Sequence, residues 1–235
     1  MKLIDENMNC PDGVRLMNRL THYDGGISHI FKCAEQAANV GREISLQYTH
    51  AHIRYIEAMT KLGCSDRVWE ALFQINPINI REAVPNALLR QSNMYFSSSD
   101  GLFTDRYDYY ENFERLLDGS IAVKGGWRLY SSGPGIYLHQ LIANVLGIRF
   151  LKDGLVIDPV LPHYMDGLRF SFTCFGQRTI FVYHIRENRN GSTEIMRNGA
   201  KVKGISQFNS YRNSGILISK EDFLKEYSEI HIILT

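Results

Sequence analysis

The sequence predicts an α+β protein of two parts, with residues 1–147 forming a helical region and residues 148–235 an antiparallel β-sandwich. Apolar residues recur at a helical period from about residue 28 to Gly147, and short β-branched and aromatic runs follow. The 235 residues are 44% apolar, which is enough to bury a large core. We therefore expect a domain boundary near residue 148.

Helical periodicity is clearest in Gln47–Leu62. Its apolar residues fall near every third or fourth position, at Tyr48, Ala51, Tyr55, Ala58, Met59 and Leu62. A second helix is expected to begin with a cap at Ser65 or Asp66 and to end before Pro77. The turn at Gly63 makes these two helices antiparallel neighbours.

Two further helices are expected at Arg106–Leu117 and Gly135–Leu146. Pro134 suits the first turn of the latter, and Gly147 suits its C-terminal stop. Residues 76–104 show little periodicity, and long loops of this kind usually carry function.

The expected strands are short runs bounded by turn dipeptides. Asp153-Gly154, Asn190-Gly191 and Asn198-Gly199 supply the turns. The runs themselves are Leu155–Ile157, Leu168–Thr173, Thr179–His184, Gly215–Ser219 and Ile230–Leu234.

Charge and hydropathy exclude several partners. Lys and Arg total 26 against 25 Asp and Glu, so we expect neither nucleic acid nor an anionic membrane as a partner. Apolar runs such as Ile230–Leu234 are strand-sized, far below the roughly 20 residues that span a bilayer. The polar residues at Asp5–Asn7 do not continue an apolar secretory signal, so we expect a cytoplasmic protein.

The cysteines and the common catalytic motifs give no metal or nucleotide signal. Cys10, Cys33, Cys64 and Cys174 lack CxxC spacing, so we expect reduced structural thiols and no metal site. Walker, dinucleotide, Gly-x-Ser-x-Gly and His-Glu-x-x-His motifs are absent from the sequence.

The segment from Gly125 to Gly135, GGWRLYSSGPG, is the most informative candidate site. Ser131 and Ser132 precede a predicted helix, where free N–H groups and the helix dipole favour an anion such as phosphate. A glycine-containing turn with a serine cap explains the same residues without a ligand.

A second candidate lies on the Gln47–Leu62 helix. His50, Arg54 and Glu57 share one face there, and a His and an Arg one turn apart can hold phosphate. A solvated surface or a structural histidine explains the spacing equally well. Glu43, just before this helix, suits a sugar hydroxyl or the helix dipole.

Several segments together resemble the C-terminal third of glycoside hydrolase family 94 phosphorylases, in particular those acting on β-1,2-glucans. They occur in matching order over nearly the whole chain. The segments are Tyr48–Ala51, Gln74–Asn79, Gln91–Asn93, Gly125–Trp127, Tyr130–Gly135, Leu146–Arg149 and Ile157–Pro159.

The resemblance implies the C-terminal half of an (α/α)6 barrel followed by a β-sandwich. It implies an inverting reaction in which inorganic phosphate attacks a β-glucooligosaccharide and releases α-glucose 1-phosphate, with no cofactor. Residue by residue, it assigns His50, Ser131 and Ser132 to phosphate and Glu43 to sugar. Ser132 departs from the glycine common in the family, so only backbone binding carries over there.

The family's general acid, an Asp in a Gly-Asp-Trp-Asn type motif, has no counterpart here. Trp69 and Trp127 do not follow an Asp, and Asp5, Asp12 and Asp24 stand outside such a motif. We therefore assign no catalytic residue and expect no phosphorolysis by the isolated chain, because acid–base catalysis contributes about 10²–10⁴ in rate.

Three interpretations remain open from sequence. The chain is a fragment or subunit of a phosphorylase, which exposes apolar barrel surface and needs either an N-terminal half or self-association. Alternatively it is a noncatalytic carbohydrate-binding or structural protein, or an inactive truncated gene product.

Overall fold

The computed structural model describes residues 1–19, 22, 47–76, 78–88, 96–127, 132–187, 192–212, 215–225 and 229–235, with the backbone alone at 96–100, 124–127 and 132–133. The chain forms two compact units. The first comprises residues 1–56 and 70–137, and the second residues 57–69 and 138–235. The units interleave along the chain, and the boundary at 147/148 stays a prediction.

The first unit combines short helices with two small sheets. Its helices are α1 (Lys2–Asn7), α2 (Thr49–Leu62), α3 (Ser65–Gln74), α4 (Ile80–Ala83), α5 (Arg106–Glu111), α6 (Glu114–Leu117) and α7 (Ser132–His139), of which α2, α3 and α7 continue into the second unit. Its strands are β1 (Asn9–Cys10), β2 (Gly13–Val14), β3 (Gln47–Tyr48), β4 (Phe96–Gly101) and β5 (Val123–Trp127).

The predicted helices are present with altered ends. The helix expected from Gln47 begins at Thr49 instead, because Gln47 and Tyr48 pair with β4 as a strand. The helix expected at Arg106–Leu117 is broken into α5 and α6. After the break, the N–H groups of Arg115 and Leu116 donate to carbonyls three residues back, which tightens the turn.

The last predicted helix starts at Ser132 and changes its hydrogen bonding halfway. Residues Gln140–Val145 form a π-helical turn, in which the N–H of Leu146 donates to the carbonyl of Leu141 at 2.8 Å. Gly147 stops the helix with a φ of +71°, as predicted.

A compact apolar cluster forms the core of the first unit. Its members come from the β1–β2 hairpin, from helices α4 to α6 and the residues next to them, and from strand β5. Its members are Cys10, Ile80, Val84, Ala87, Tyr109, Phe113, Leu116, Ile121 and Val123. Burial among these side chains raises the pKa of the Cys10 thiol to about 11, so this cysteine stays protonated at neutral pH.

Strands dominate the second unit. They are β6 (Ile148–Leu151), β7 (Gly154–Ile157), β8 (Arg169–Cys174), β9 (Gln177–Ile185), β10 (Thr193–Arg197), β11 (Ala200–Lys201), β12 (Ile205–Ser206), β13 (Ile216–Ser219) and β14 (Ile230–Leu234). A 3₁₀ turn (His163–Met165) and helix α8 (Lys220–Leu224) lie between them. The protein is therefore α+β, as predicted.

The second unit contains two sheets, and one of them is mixed. The four-stranded sheet, ordered β12-β13-β7-β6, is antiparallel. The five-stranded sheet is ordered β11-β10-β14-β9-β8, and in it β14 pairs parallel to β9. The prediction of a purely antiparallel module is wrong at this pair. Because β14 lies between two strands that run in opposite directions, it must be parallel to one of them.

The Gly147 and Asp158 segments, which carry part of the family resemblance, pack directly together. The N–H of Asp158 donates to the carbonyl of Gly147 at 2.8 Å. A Cβ at position 147 would lie 2.2 Å from the Asp158 carbonyl carbon. Arg149 on β6 donates to the Asp158 carboxylate at 2.9 Å. These residues therefore serve the fold of the β6–β7 hairpin.

None of the helices in the described ranges combines the length and hydrophobicity needed to cross a membrane.

Candidate functional site

Strands β3, β4 and β5 bring three of the sequence motifs together. In this sheet β4 lies in the centre, with Tyr48 paired to Ser98 on one side and Gly126 paired to Ser98 on the other. The Tyr48–Ala51 motif, the end of the long segment 76–104 and the Gly125–Trp127 motif therefore occupy adjacent strands. Sequence periodicity did not predict this sheet.

The two outer strands of this sheet run in the same direction, because each is antiparallel to β4. Their carboxyl ends therefore reach the same edge. With a spacing of about 4.8 Å per strand, the backbones of Tyr48 and Gly126 lie about 10 Å apart. His50 follows β3 by two residues, and the segment leading to Ser132 follows β5.

His50 lies in the first turn of α2, next to the sheet edge. Its imidazole stacks on the Tyr48 ring, with centroids 5.1 Å apart and an interplanar angle of 24°. Thr49, between them, is fully buried, whereas Tyr48 is 39% exposed and His50 is half-buried. The stacked rings thus hold the His50 imidazole in a half-buried position at the sheet edge.

Helix α7 begins at Ser132, five residues after the last residue of β5. Pro134 falls in its first turn, as predicted, and a Cβ at Gly135 would meet no atom within 4 Å. The first N–H groups of a helix lack intrahelical partners and carry the positive end of the dipole. The N-terminus of α2 follows β3 directly and therefore lies at this edge.

The structure describes two of the four predicted site residues. His50 is described with its side chain, and Ser132 is described as the first residue of α7 by its backbone. Glu43 and Ser131 lie outside the described residues. Of the other residues on the His50 face, Arg54 is exposed and Glu57 forms an ion pair with Lys61 at 3.1 Å.

His52, which the sequence did not single out, supports this region from inside. Its Nδ1 accepts the N–H of Val14 at 3.1 Å, and its Nε2 lies 2.8 Å from the carbonyl oxygen of Ala71, to which it donates. The ring is fully buried, and desolvation lowers its pKa to about 4. His52 is thus a neutral structural bridge between β2, α2 and α3.

Asp12 is also structural. Its carboxylate is 3% exposed and binds one guanidinium nitrogen of Arg15 at 2.9 and 2.7 Å. This carboxylate is buried and already bound to Arg15. Over the described ranges, no cluster of three His, Cys, Asp or Glu side chains could hold a metal ion.

Comparison with curated proteins finds two relatives of this chain. The chain is 51% identical over 231 residues, 98% of its length, to a 1,2-β-oligoglucan phosphorylase of Listeria innocua. Residues 147–233 match the family model of the glycoside phosphorylase C-terminal domain. The resemblance to the C-terminal part of these phosphorylases is confirmed.

The glycoside phosphorylase C-terminal domain corresponds to the β-rich part of the chain. A more distant relative, the cyclic β-(1,2)-glucan synthase NdvB of Rhizobium meliloti, is 25% identical over 162 residues, 69% of this chain. The chain spans 21% of the Listeria protein and 5% of the Rhizobium protein.

Proposed function

We propose that this chain is part of an inverting phosphorylase of glycoside hydrolase family 94. It acts on β-1,2-glucooligosaccharides with inorganic phosphate and gives α-glucose 1-phosphate. The observation that carries the proposal is the 51% identity to a 1,2-β-oligoglucan phosphorylase over 98% of the chain. The glycoside phosphorylase C-terminal domain at 147–233 supports the same reaction class.

The chain contributes the phosphate-binding side of the active site. His50 supplies a ring nitrogen at the sheet edge, and Ser131 with Ser132 forms the phosphate loop at the start of α7. The arrangement of β3 and β5 supports this assignment, because both segments leave the same edge. Helix N-termini stabilise an anion through their N–H groups and dipole.

Helices α2 and α3 belong to the second half of an (α/α)6 barrel in this proposal, and Glu43 contacts a sugar hydroxyl. The consecutive helices Thr49–Leu62 and Ser65–Gln74, joined by a turn at Gly63, support the barrel assignment. In the reaction, a phosphate oxygen forms the new bond to C1 while the glycosidic C1–O bond breaks. An acid must donate a proton to the leaving oxygen.

That acid comes from outside the 235 residues. The sequence holds no Asp-Trp pair, since Trp69 follows Val68 and Trp127 follows Gly126. A polypeptide carrying the N-terminal half of the barrel supplies the acid. Self-association of the chain would cover the exposed apolar barrel surface but would not supply the acid. Phosphate is the co-substrate, and no metal or organic cofactor takes part. The free thiols of Cys10, Cys64 and Cys174 support a reducing compartment, the cytoplasm.

The test is phosphate binding and turnover by the purified chain. With β-1,2-glucooligosaccharides and phosphate we expect no glucose 1-phosphate, but we expect phosphate binding that His50→Ala weakens at least tenfold. His139→Ala, which removes an exposed histidine from the end of α7, is the matched control and should bind as the parent does.

Two outcomes contradict the proposal. If phosphate does not bind, or binds equally well to the His50→Ala protein, this chain does not form the phosphate side. If the chain alone releases glucose 1-phosphate in a His50-dependent way, it contains or assembles the acid, and the statement that the acid lies elsewhere is wrong.

A further inference from the structure

The second unit contains a cavity of about 290 Å³, and two exposed aromatic residues are among those that line it. Residues 207–212, here called the aromatic loop, form one wall of this cavity. Phe208 is 91% exposed and Tyr211 is 69% exposed. Large aromatic side chains placed together in water usually mark a surface that binds something.

Hydrogen bonds of Asn209 and Gln207 hold the backbone of the aromatic loop. The Asn209 Nδ2 donates to the carbonyl of Lys61 at 3.2 Å, and its Oδ1 accepts the N–H of Tyr211 at 2.9 Å. Next to it, the N–H of Gln207 donates to the carbonyl of Gly215 at 2.9 Å. These bonds fix the backbone on both sides of Phe208.

Arg212 anchors the other end of the loop. Its Nη1 and Nη2 donate to the two oxygens of Asp158 at 2.7 and 3.0 Å, and its Nε donates to the carbonyl of Thr60 at 3.1 Å. Its Cδ packs against Gly63, where a Cβ would lie 2.9 Å away. The aromatic rings are therefore presented by an ordered backbone, which lowers the entropic cost of binding.

The charged side chains of the cavity are held in ion pairs within the protein, and the two arginines share one carboxylate. Among the described residues that line the cavity, the three cations are already paired: Arg149 and Arg212 with Asp158, and Lys61 with Glu57. The remaining polar side chains are neutral: they are the amides of Asn144, Gln207 and Asn209 and the hydroxyls of Thr60, Ser210 and Tyr211. Amides and hydroxyls match the hydroxyl groups of a sugar, which both donate and accept.

We propose that this cavity is a sugar-binding site for a glucosyl unit of a β-glucan chain. An aromatic ring covers the apolar face of the sugar, and the side chains of Asn144, Gln207 and Ser210 bind its hydroxyls, which is a common arrangement in small-ligand pockets. The choice of a β-1,2-glucan rests on the proposed function, whereas the choice of a neutral sugar rests on the cavity. The residues involved all belong to the second unit.

The site is tested by titrating the purified chain with β-1,2-glucooligosaccharides in a calorimeter without phosphate. We expect Phe208→Ala and Tyr211→Ala each to weaken binding about tenfold, since they remove a stacking surface. Tyr164→Ala, which removes another tyrosine that is 66% exposed but does not line this cavity, should leave binding unchanged. Thermal melting should be unaltered in all three variants.

The outcomes separate this proposal from the proposed function. No binding by the parent chain, or equal binding by the Phe208→Ala and Tyr211→Ala proteins, overturns the sugar site. Sugar binding lost in His50→Ala but retained in Phe208→Ala also overturns it, because the sugar then occupies the phosphate side. Sugar binding that depends on Phe208, without any phosphate binding, keeps this site and rejects the phosphate role of His50.

Discussion

Arg15 and Asp12 form an ion pair inside the protein, with one guanidinium nitrogen 2.9 and 2.7 Å from the two carboxylate oxygens. Their side chains are 1% and 4% exposed. Removing one member of such a pair leaves a buried charge, which costs about 3–5 kcal/mol. We expect Asp12→Ala to lower the free energy of unfolding by this amount in urea denaturation.

The exposed Lys2–Glu6 pair is the control for that measurement. Its side chains are 86% and 53% exposed, and surface pairs contribute less than about 1 kcal/mol. Glu6→Ala should therefore change stability very little. An equally small effect of Asp12→Ala would show that the buried pair is not required.

The buried imidazole of His52 predicts a loss of stability in acid. Its pKa is lowered from 6.5 to about 4, so below pH 6.5 the unfolded chain binds a proton that the folded chain does not. This contribution to stability is complete above pH 6.5 and falls by about 3 kcal/mol as the pH drops to about 4.

The pH dependence is measured by denaturation between pH 7 and pH 4, comparing the parent with His52→Gln. Glutamine keeps a donor and an acceptor but does not titrate. Between pH 7 and pH 4 the free energy of unfolding of the His52→Gln protein should therefore fall by about 3 kcal/mol less than that of the parent. Parallel curves for the two proteins would mean that His52 does not cause the acid sensitivity.

Gly147 and Gly199 both have positive φ angles, of 71° and 76°, but differ in their surroundings. A Cβ at Gly147 would overlap the Asp158 backbone, whereas a Cβ at Gly199 would meet nothing within 4 Å. We expect Gly199→Ala to cost about 1 kcal/mol for the left-handed conformation alone, and Gly147→Ala at least twice that. Thermal unfolding of the two variants gives the comparison, and equal shifts would contradict it.

Arg212 and Arg149 bind the Asp158 carboxylate unequally, so we expect their removal to destabilise the protein by different amounts. Arg212 uses two nitrogens on Asp158 and is 18% exposed, whereas Arg149 uses one and is 37% exposed. We expect Arg212→Ala to cost about 3 kcal/mol and Arg149→Ala about 1 kcal/mol in chemical denaturation. The reverse order would show that Arg149 is the main partner.

The sequence predicted those turns and strands that depend on residues adjacent in the chain. The Asn198-Gly199 turn appears with φ values of 50° and 76°. The strands Gly154–Ile157 and Gln177–Ile185 contain the predicted runs Leu155–Ile157 and Thr179–His184, which were identified by their β-branched and aromatic residues. Strands β4 and β5, with sequences FSSSDG and VKGGW, have no apolar alternation. Their pairing depends on contacts with distant residues, which periodicity does not report.

The candidate site was predictable only in part for the same reason. The resemblance selected His50, and the sheet that orients it came from the structure. His52 lies on the same helix and carries the same side chain, yet it is buried and neutral. His52 differs from His50 in that both of its ring nitrogens are hydrogen-bonded to the backbone, to the N–H of Val14 and the carbonyl of Ala71.

The position of β14 determines when the five-stranded sheet can be completed during synthesis. Strands β9 and β10 have no direct pairing, because residues 230–234 lie between them. Until the ribosome releases that segment, the inner edges of both strands stay open to other chains. The nascent sheet is therefore most vulnerable to intermolecular strand addition just before residues 230–234 emerge.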